Sequence, residues 1–316
     1  MYKFKNIFLN DYYSVAGPLE KESKLKNCNY FIEDYYFGEK TPEKAESKMQ
    51  KMVINNLIKD QKPDLIIGSD LNNQLIATSL AVENTNIPFM GHYCACASLS
   101  SMIIILANFI ISQNIQNGLI LISSHTLVAE KQFRFPVEYG APKPLSSSQT
   151  ATAAVGIKIS NEESKIKIIS GLIGKVIDSG IKDANNLGAV MVPSSVDTLI
   201  TFLKESKTDI NDYDLILTGD LGKVGSDIFK AVLLKEHNIK IKNHLDGGAT
   251  LYKNFEYSGA SGPSVLPLTL VTKILSNKKY QKILCLATGS LHSTLLINQK
   301  NTIPTVTHAI YLEVGL

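Results

Sequence analysis

DLIIGSDL, running from Asp64 to Leu71, returns as DLILTGDL, Asp214 to Leu221, 150 residues later. Each copy is a short apolar run that ends in small and acidic residues. That is the pattern of a buried strand whose C-terminal end opens onto a site. Two further segments recur in the same order. YCACASLSSM from Tyr93 is matched by YSGASGPSVL from Tyr257, and LILISS (Leu119 to Ser124) by ILCLAT (Ile283 to Thr288), both 164 residues apart. A single match between apolar strands carries little weight, but three in order point to an internal duplication.

Each copy carries the same run of elements. A strand is followed by a small-residue turn, an apolar helix (Ala97 to Ile111; Pro263 to Leu275) and a second buried strand. Alternating strand and helix predict mostly parallel sheets with right-handed crossovers. The expected fold is α/β, with two similar halves, 1–160 and 161–316, in a layered α/β/α/β/α arrangement around shared central helices. The helix after Cys96 is apolar on nearly all sides and belongs in the middle of that arrangement. Its core, Met102 to Ile111, is about half the ~20 residues of a membrane span, so any membrane association is expected to be peripheral. Glu130 to Gln149, rich in Pro, Gly, Ser and aromatics and lacking periodicity, reads as a long ordered loop.

Composition excludes several classes. With 44% hydrophobic and 19% charged residues and a net charge of +3, the chain is of ordinary globular type. No dense basic stripe with interleaved aromatics predicts nucleic-acid binding. The opening MYKFKNIFLNDYYS lacks a basic segment followed by an apolar core, so a signal peptide is not expected. Cys28, Cys94, Cys96 and Cys285 then fit a reducing compartment, and the Cys94-Ala95-Cys96 spacing is too tight for zinc. Neither a metal nor a cofactor is predicted.

Longer motifs identify a family. FGEKTPEKAE (Phe37 to Glu46), GSDLNNQ (Gly68 to Gln74), GHYCACASLS and SSHTLVAEKQFRFPVEYGAPKP (Ser123 to Pro144) occur in that order. DYDLILTGDLGKVGSDIF, HLDGGATLY and LATGSLHST follow. From about Gly17 to the C-terminus the chain resembles the stage V sporulation protein AD family. The resemblance implies a thiolase-like fold related to ketoacyl synthases, and homodimers paired through the edge of the first-half sheet. It implies a non-catalytic role in sporulation: binding dipicolinic acid, either free or as its calcium chelate, for uptake into the forespore. Membrane-embedded proteins of the same transport system are the implied partners, and the implied location is the cytoplasmic side of the forespore inner membrane. One departure stands out, since the second-half turn reads SGASGPS where many members carry a cysteine-rich one.

By the same resemblance, Cys96 occupies the nucleophile position, at the N-terminus of a buried helix where the dipole favours a thiolate or a bound anion. Two roles remain open for it, acyl acceptor and wall of an anion pocket. Ketoacyl-synthase relatives supply a histidine and an asparagine from two second-half turns. Here those turns are Thr218-Gly219-Asp220-Leu221-Gly222 and Tyr257-Ser258-Gly259-Ala260-Ser261, with neither residue. A Cys96-dependent acyltransferase or thioester hydrolase is therefore the second choice, with His125 or His292 as substitute base.

Arg134 is the sole arginine in a chain with 32 basic residues. A guanidinium holds a carboxylate with two parallel hydrogen bonds, which lysine cannot do. Flanked by Phe133 and Phe135, with Lys143 close in sequence, Arg134 suits a planar aromatic dicarboxylate. The competing expectation is an internal pair with Glu130 or Glu138. Asp70 and Asp220 end the repeated strands, where a lone aspartate either meets a ligand or forms a cap. His125 either donates to an anion or satisfies strand-edge backbone. His92 is expected to be structural, His237 exposed, and His308 is only weakly suggestive.

Overall fold

The computed structural model describes residues 1–23, 25–134 and 142–315. The first half contributes β1 (Phe8–Ala16), β2 (Leu65–Ser69), β3 (Phe89–Gly91), β4 (Asn117–Ser124) and β5 (Ala153–Ser160). The second contributes β6 (Ile166–Leu172), β7 (Leu215–Thr218), β8 (His244–Asp246), β9 (Lys282–Ser290) and β10 (Thr305–Val314). Across the sheets the order is β3-β2-β4-β5-β1 and then β6-β10-β9-β7-β8. Taken outward from the junction, the two orders are the same in chain terms: first, fifth, fourth, second, third. Directions match too, with β3, β2 and β4 parallel, as are β8, β7 and β9, and the remaining neighbours antiparallel. Only two residue pairs, Phe8 with Lys167 and Leu9 with Ile166, join β1 to β6.

The repeated strands β2 and β7 thus occupy equivalent places, and equivalent bonds anchor their starts. Asp64 Oδ2 accepts the N–H groups of Gln116 and Asn117 at the entrance to β4. Asp214 Oδ2 accepts those of Gln281 and Lys282 at the entrance to β9.

Period-two alternation in β4 explains the layering. Ile120 and Ile122 point one way, and Leu119 and Leu121 the other. The outer side of the first sheet packs on α1 (Pro42–Leu57) and α2 (Ile76–Val82) through Val53, Ile54 and Ala81. The inner side packs on α3 (Ser98–Ile111), whose Leu99, Met102 and Ile103 also meet Cys285, Ala287 and Ile310 of the second sheet. A helix buried between two sheets must be apolar all round, as this one is. The second sheet's outer side carries α5 (Leu187–Ser206) and α6 (Gly222–His237) through Phe202, Phe229 and Leu233. By length and composition α5, at 20 residues, is long and apolar enough to cross a membrane. Here it is a core helix against β9 and β10. The counterpart of α3 is α7 (Val265–Thr269), continued by a π-turn over Leu270–Ile274. Five layers result.

One expectation needs correction. Thr126–Phe133 is a helix, α4, so the segment after Glu130 begins as helix, and Ser148–Thr150 near its end is a strand paired with Gly259–Ser261. His125 caps α4 by accepting the Leu127 N–H, Val128 and Ala129 bury its inner face, and Glu130 pairs with Arg134 one turn on. Two turns are too short to show a period against the Pro- and Gly-rich residues that follow. Phe135, Pro136 and Glu138 lie outside the described residues.

Candidate functional site

Cys96 is carried by a tight turn between β3 and α3. Ala95, just before it, has φ +47, a left-handed conformation that costs an L residue about 1–2 kcal/mol. The surroundings hold it there. Ser98 Oγ donates to the Ala95 carbonyl at 2.7 Å, and the Ala97 N–H donates to Cys94 O at 3.0 Å. Ser69 Oγ, at the end of β2, donates to Ser98 Oγ at 2.8 Å, tying the turn to the repeated strand. On the other side the end of β9 presses close, because Gly289 lacks a side chain: a Cβ there would lie 2.9 Å from Ala97 Cβ. Ser290 and His292 follow immediately.

These elements enclose a cavity of about 180 Å³. Cys96, Asp220, Ser261 and Gly262 line it, as do Glu130, Phe133, Arg134, Lys143 and His292. Asp220 is 3% exposed and the Arg134 side chain 34%, so the carboxylate lies deep and the guanidinium at the mouth. Gly262 N–H donates to Asp220 Oδ2 at 3.1 Å, and Thr288 Oγ1 donates to Oδ1 at 2.8 Å. Burial raises Asp220 to about 6, against the hydrogen bonds of Cys96 and Gly262, which hold it down. Burial, then the charge and hydrogen bond of Asp220, push the Cys96 thiol well above its ordinary range. Any help from the α3 dipole is overridden, and the thiol stays protonated at neutral pH.

At the mouth, Arg134 Nη1 bonds Glu130 Oε2 at 3.0 Å, the internal pair that the sequence had left open. Lys143 Nζ bonds the other oxygen of the same carboxylate and also Gln149 Oε1. The His292 ring packs 5.2 Å from that of Phe133, and burial lowers its pKa, favouring the neutral imidazole.

Five of the seven expected site residues therefore meet at one cavity: Cys96, Arg134, Lys143, Asp220 and His292. His125 and Asp70 do not line it. The His125 Nε2 donates to Tyr35 O at 2.8 Å while Nδ1 accepts from Leu127, and burial lowers its pKa to about 4. Asp70 is spent on its own loop, accepting from Asn72 N at 2.7 Å, from Thr78 N at 2.9 Å and from Thr78 Oγ1. Of the others, His92 bonds Ser101 Oγ, His237 is exposed and His308 bonds Cys94 Sγ at 3.3 Å. Asn185, Leu187 and Met191 also line the cavity. They enter from the start of α5, where Asn186 caps the helix by accepting the Ala189 N–H, and no repeat or motif in the sequence marked them. Among the described residues, no group of three or more His, Cys, Asp or Glu side chains is placed to hold a metal ion.

Comparison with known proteins sets this geometry in context. OleA of Xanthomonas campestris, solved with bound cerulenin, superposes with a TM-score of 0.64 at 11% identity, covering 99% of this chain and 98% of its own. A 3-oxoacyl-(acyl carrier protein) synthase III, FabH, of Xanthomonas oryzae gives 0.63 at 11% identity over 99% and 100%. At such identities the likeness shows the fold, which is thiolase-like. Sequence is more specific. Stage V sporulation protein AD of Bacillus subtilis (strain 168) is 33% identical over 97% of this chain and 94% of its own. The family profile of stage V sporulation protein AD matches residues 2–313, nearly the whole length over which the two halves and their shared cavity are built. The chain belongs to the stage V sporulation protein AD family.

Proposed function

We propose that this chain binds dipicolinic acid in the Cys96 cavity without transforming it, and passes it on toward the forespore with membrane-embedded partners. In this proposal it works as a homodimer on the cytoplasmic side of the forespore inner membrane, pairing through the edge strand β3. Family membership supports the role in sporulation. The observation that favours binding over catalysis is the neighbour of Cys96. Where acyl transfer needs a base to activate the thiol, this cavity presents a carboxylate that disfavours the thiolate. Size agrees. A cavity of about 180 Å³ compares with the ~150 Å³ that accommodates a benzene ring, and falls below the ~300–1,000 Å³ of drug-sized sites. Arg134 and Lys143 bring a guanidinium and an ammonium to a planar dicarboxylate, and Phe133 adds an aromatic ring to the lining.

The experiment is calorimetric titration of the purified protein with dipicolinate, paired with intact-mass analysis after incubation with acyl-CoA donors. Saturable binding of dipicolinate with no mass increment is expected. An acyl adduct that disappears in Cys96→Ser would establish the condensing-enzyme chemistry of the structural neighbours instead.

A further inference from the structure

A buried carboxylate is an odd lining for a cavity that takes an anion. Asp220 nevertheless lies at its deep end, held by Thr288, Gly262 and the Cys96 thiol. The Thr288 hydroxyl cannot be turned to a ligand, because it accepts from the Asp220 N–H at 3.1 Å while donating to Asp220 Oδ1. In so small a space a dicarboxylate cannot keep both of its charged groups at the cationic mouth. One of them must lie near Asp220, and two carboxylates in close contact away from water do not both stay ionised.

Building on the binding of an aromatic carboxylate proposed above, we propose that Asp220 admits the anion by taking up one proton from solvent as the ligand enters, and donates it in a hydrogen bond to the ligand carboxylate. No covalent bond in the ligand changes. The other charged and titratable groups around Asp220 are consistent with this. Cys96, on the turn before α3, stays a neutral thiol. Asp246, which caps the helix at Gly247–Leu251, is raised to about 7 by burial and, to a smaller degree, by the Asp220 charge, so the two carboxylates disfavour each other's ionised form. His292, on the loop after β9, is held neutral by burial. Glu130 and Lys143 bond each other, and Arg134 bonds Glu130, at the mouth. The only cations lining the cavity among the described residues are therefore at the end away from Asp220. With Asp220 already raised to about 6 by burial, its protonation near neutral pH needs little further bias from the ligand.

The test uses the full-length protein and dipicolinate itself. Calorimetry between about pH 6 and 9, in phosphate and in Tris, reads proton uptake from the difference in apparent heat. Uptake of close to one proton is expected at pH 8, with affinity falling about tenfold for each pH unit above 7. Asp220→Asn, which keeps an acceptor for Gly262 and gains a neutral donor, should bind with no proton uptake and a flat profile, and at pH 8 more tightly than the parent. The parent measurement decides the matter even where that variant fails to fold. Tight binding by the parent with no proton uptake overturns this inference alone, as does calcium chloride restoring affinity at pH 8 with no proton taken up. Absence of dipicolinate binding at every pH overturns the binding function and this inference with it.

Discussion

In the first half the strand-end aspartate, Asp70, is enclosed by the loop and helix that follow it, where the N–H groups of Asn72 and Thr78 and the Thr78 hydroxyl bond it. In the second half Asp220, at the same place in a duplicated strand, faces Cys96 and the shared cavity. The buried neighbours differ accordingly. Asp70 stands near Glu46, a fully buried carboxyl that burial, then Asp70, raise to about 8. Glu46 in turn accepts from Asn72 Nδ2 and Ser123 Oγ. Duplication supplied two similar turns; one became a structural knot and the other a site lining. What separates them is where their hydrogen bonds come from, local backbone in one case and residues distant in sequence in the other.

The sharpest way to break this comparison is to delete each carboxylate. Asp70→Ala leaves two buried N–H groups without acceptors, at about 1–3 kcal/mol each, so a loss of about 3–5 kcal/mol is expected in urea unfolding. Asp220→Ala strands Gly262 N–H beside a cavity that water can enter, and about 1–2 kcal/mol is expected. Equal losses would mean that the two turns are structurally equivalent after all.

Next in size is the mouth. A charge-assisted bond to a carboxylate is worth about 1.5–3 kcal/mol, so Arg134→Lys, which keeps the charge and loses the planar fork, should weaken dipicolinate binding by roughly 10- to 150-fold. Binding as tight as the parent's would leave Arg134 a structural residue rather than a ligand contact, and would place recognition wholly at the Asp220 end.

Stability against pH separates the halves by another route. Glu20 is raised to about 7 by burial and Glu46 to about 8, and each is a first-half group. Asp246, raised to about 7, and Asp220 belong to the second half. Unfolded, these carboxyls would release their protons near pH 4. The native state therefore holds more protons above that, and stability falls as pH rises through the folded values. Buried His125 and His308, each lowered to about 4, act the other way, but only below about pH 6.5, where the unfolded imidazoles charge. A net decline of the melting temperature is thus expected from about pH 6.5 to 8. Glu46→Gln should remove about 1–2 kcal/mol of it, measured by denaturation at both ends of the range. A decline unchanged in that variant would move the effect out of the Asp70 knot.

Much of this was legible in the sequence, for stated reasons. The duplicated strands, their layering and the apolar central helix follow from patterns that burial on two faces imposes. Asp220 was marked by the repeat, Arg134 by its chemistry and Cys96 by the family resemblance. Asp70 was marked by the same repeat and does not line the cavity, because a repeat fixes the place of a carboxylate and not its partners. Asn185 and Met191 were invisible, since α5 reaches the cavity through tertiary packing alone. For His125 the sequence left two readings open, a donor to an anion or a partner of backbone, and both of its ring nitrogens serve backbone.

The smallest effect tests where the halves still agree. Asp64 and Asp214 are exposed, and each gives one carboxylate oxygen to two successive N–H groups that begin the neighbouring strand. Water competes at both places, so Asp64→Ala and Asp214→Ala should each cost about 1 kcal/mol in chemical denaturation. Asn117 Nδ2 adds a long contact of 3.4 Å to Asp64 only, too weak to separate the two by more than a few tenths of a kcal/mol. The anchors lie in different sheets and share no partner, so the double variant should cost the sum within about 0.5 kcal/mol. A cost well beyond the sum would show that loosening one sheet is felt by the other through α3, the helix that packs on both. The cavity between the halves would then be an elastic joint, and substitutions at either anchor, far from any ligand, would change dipicolinate affinity as well.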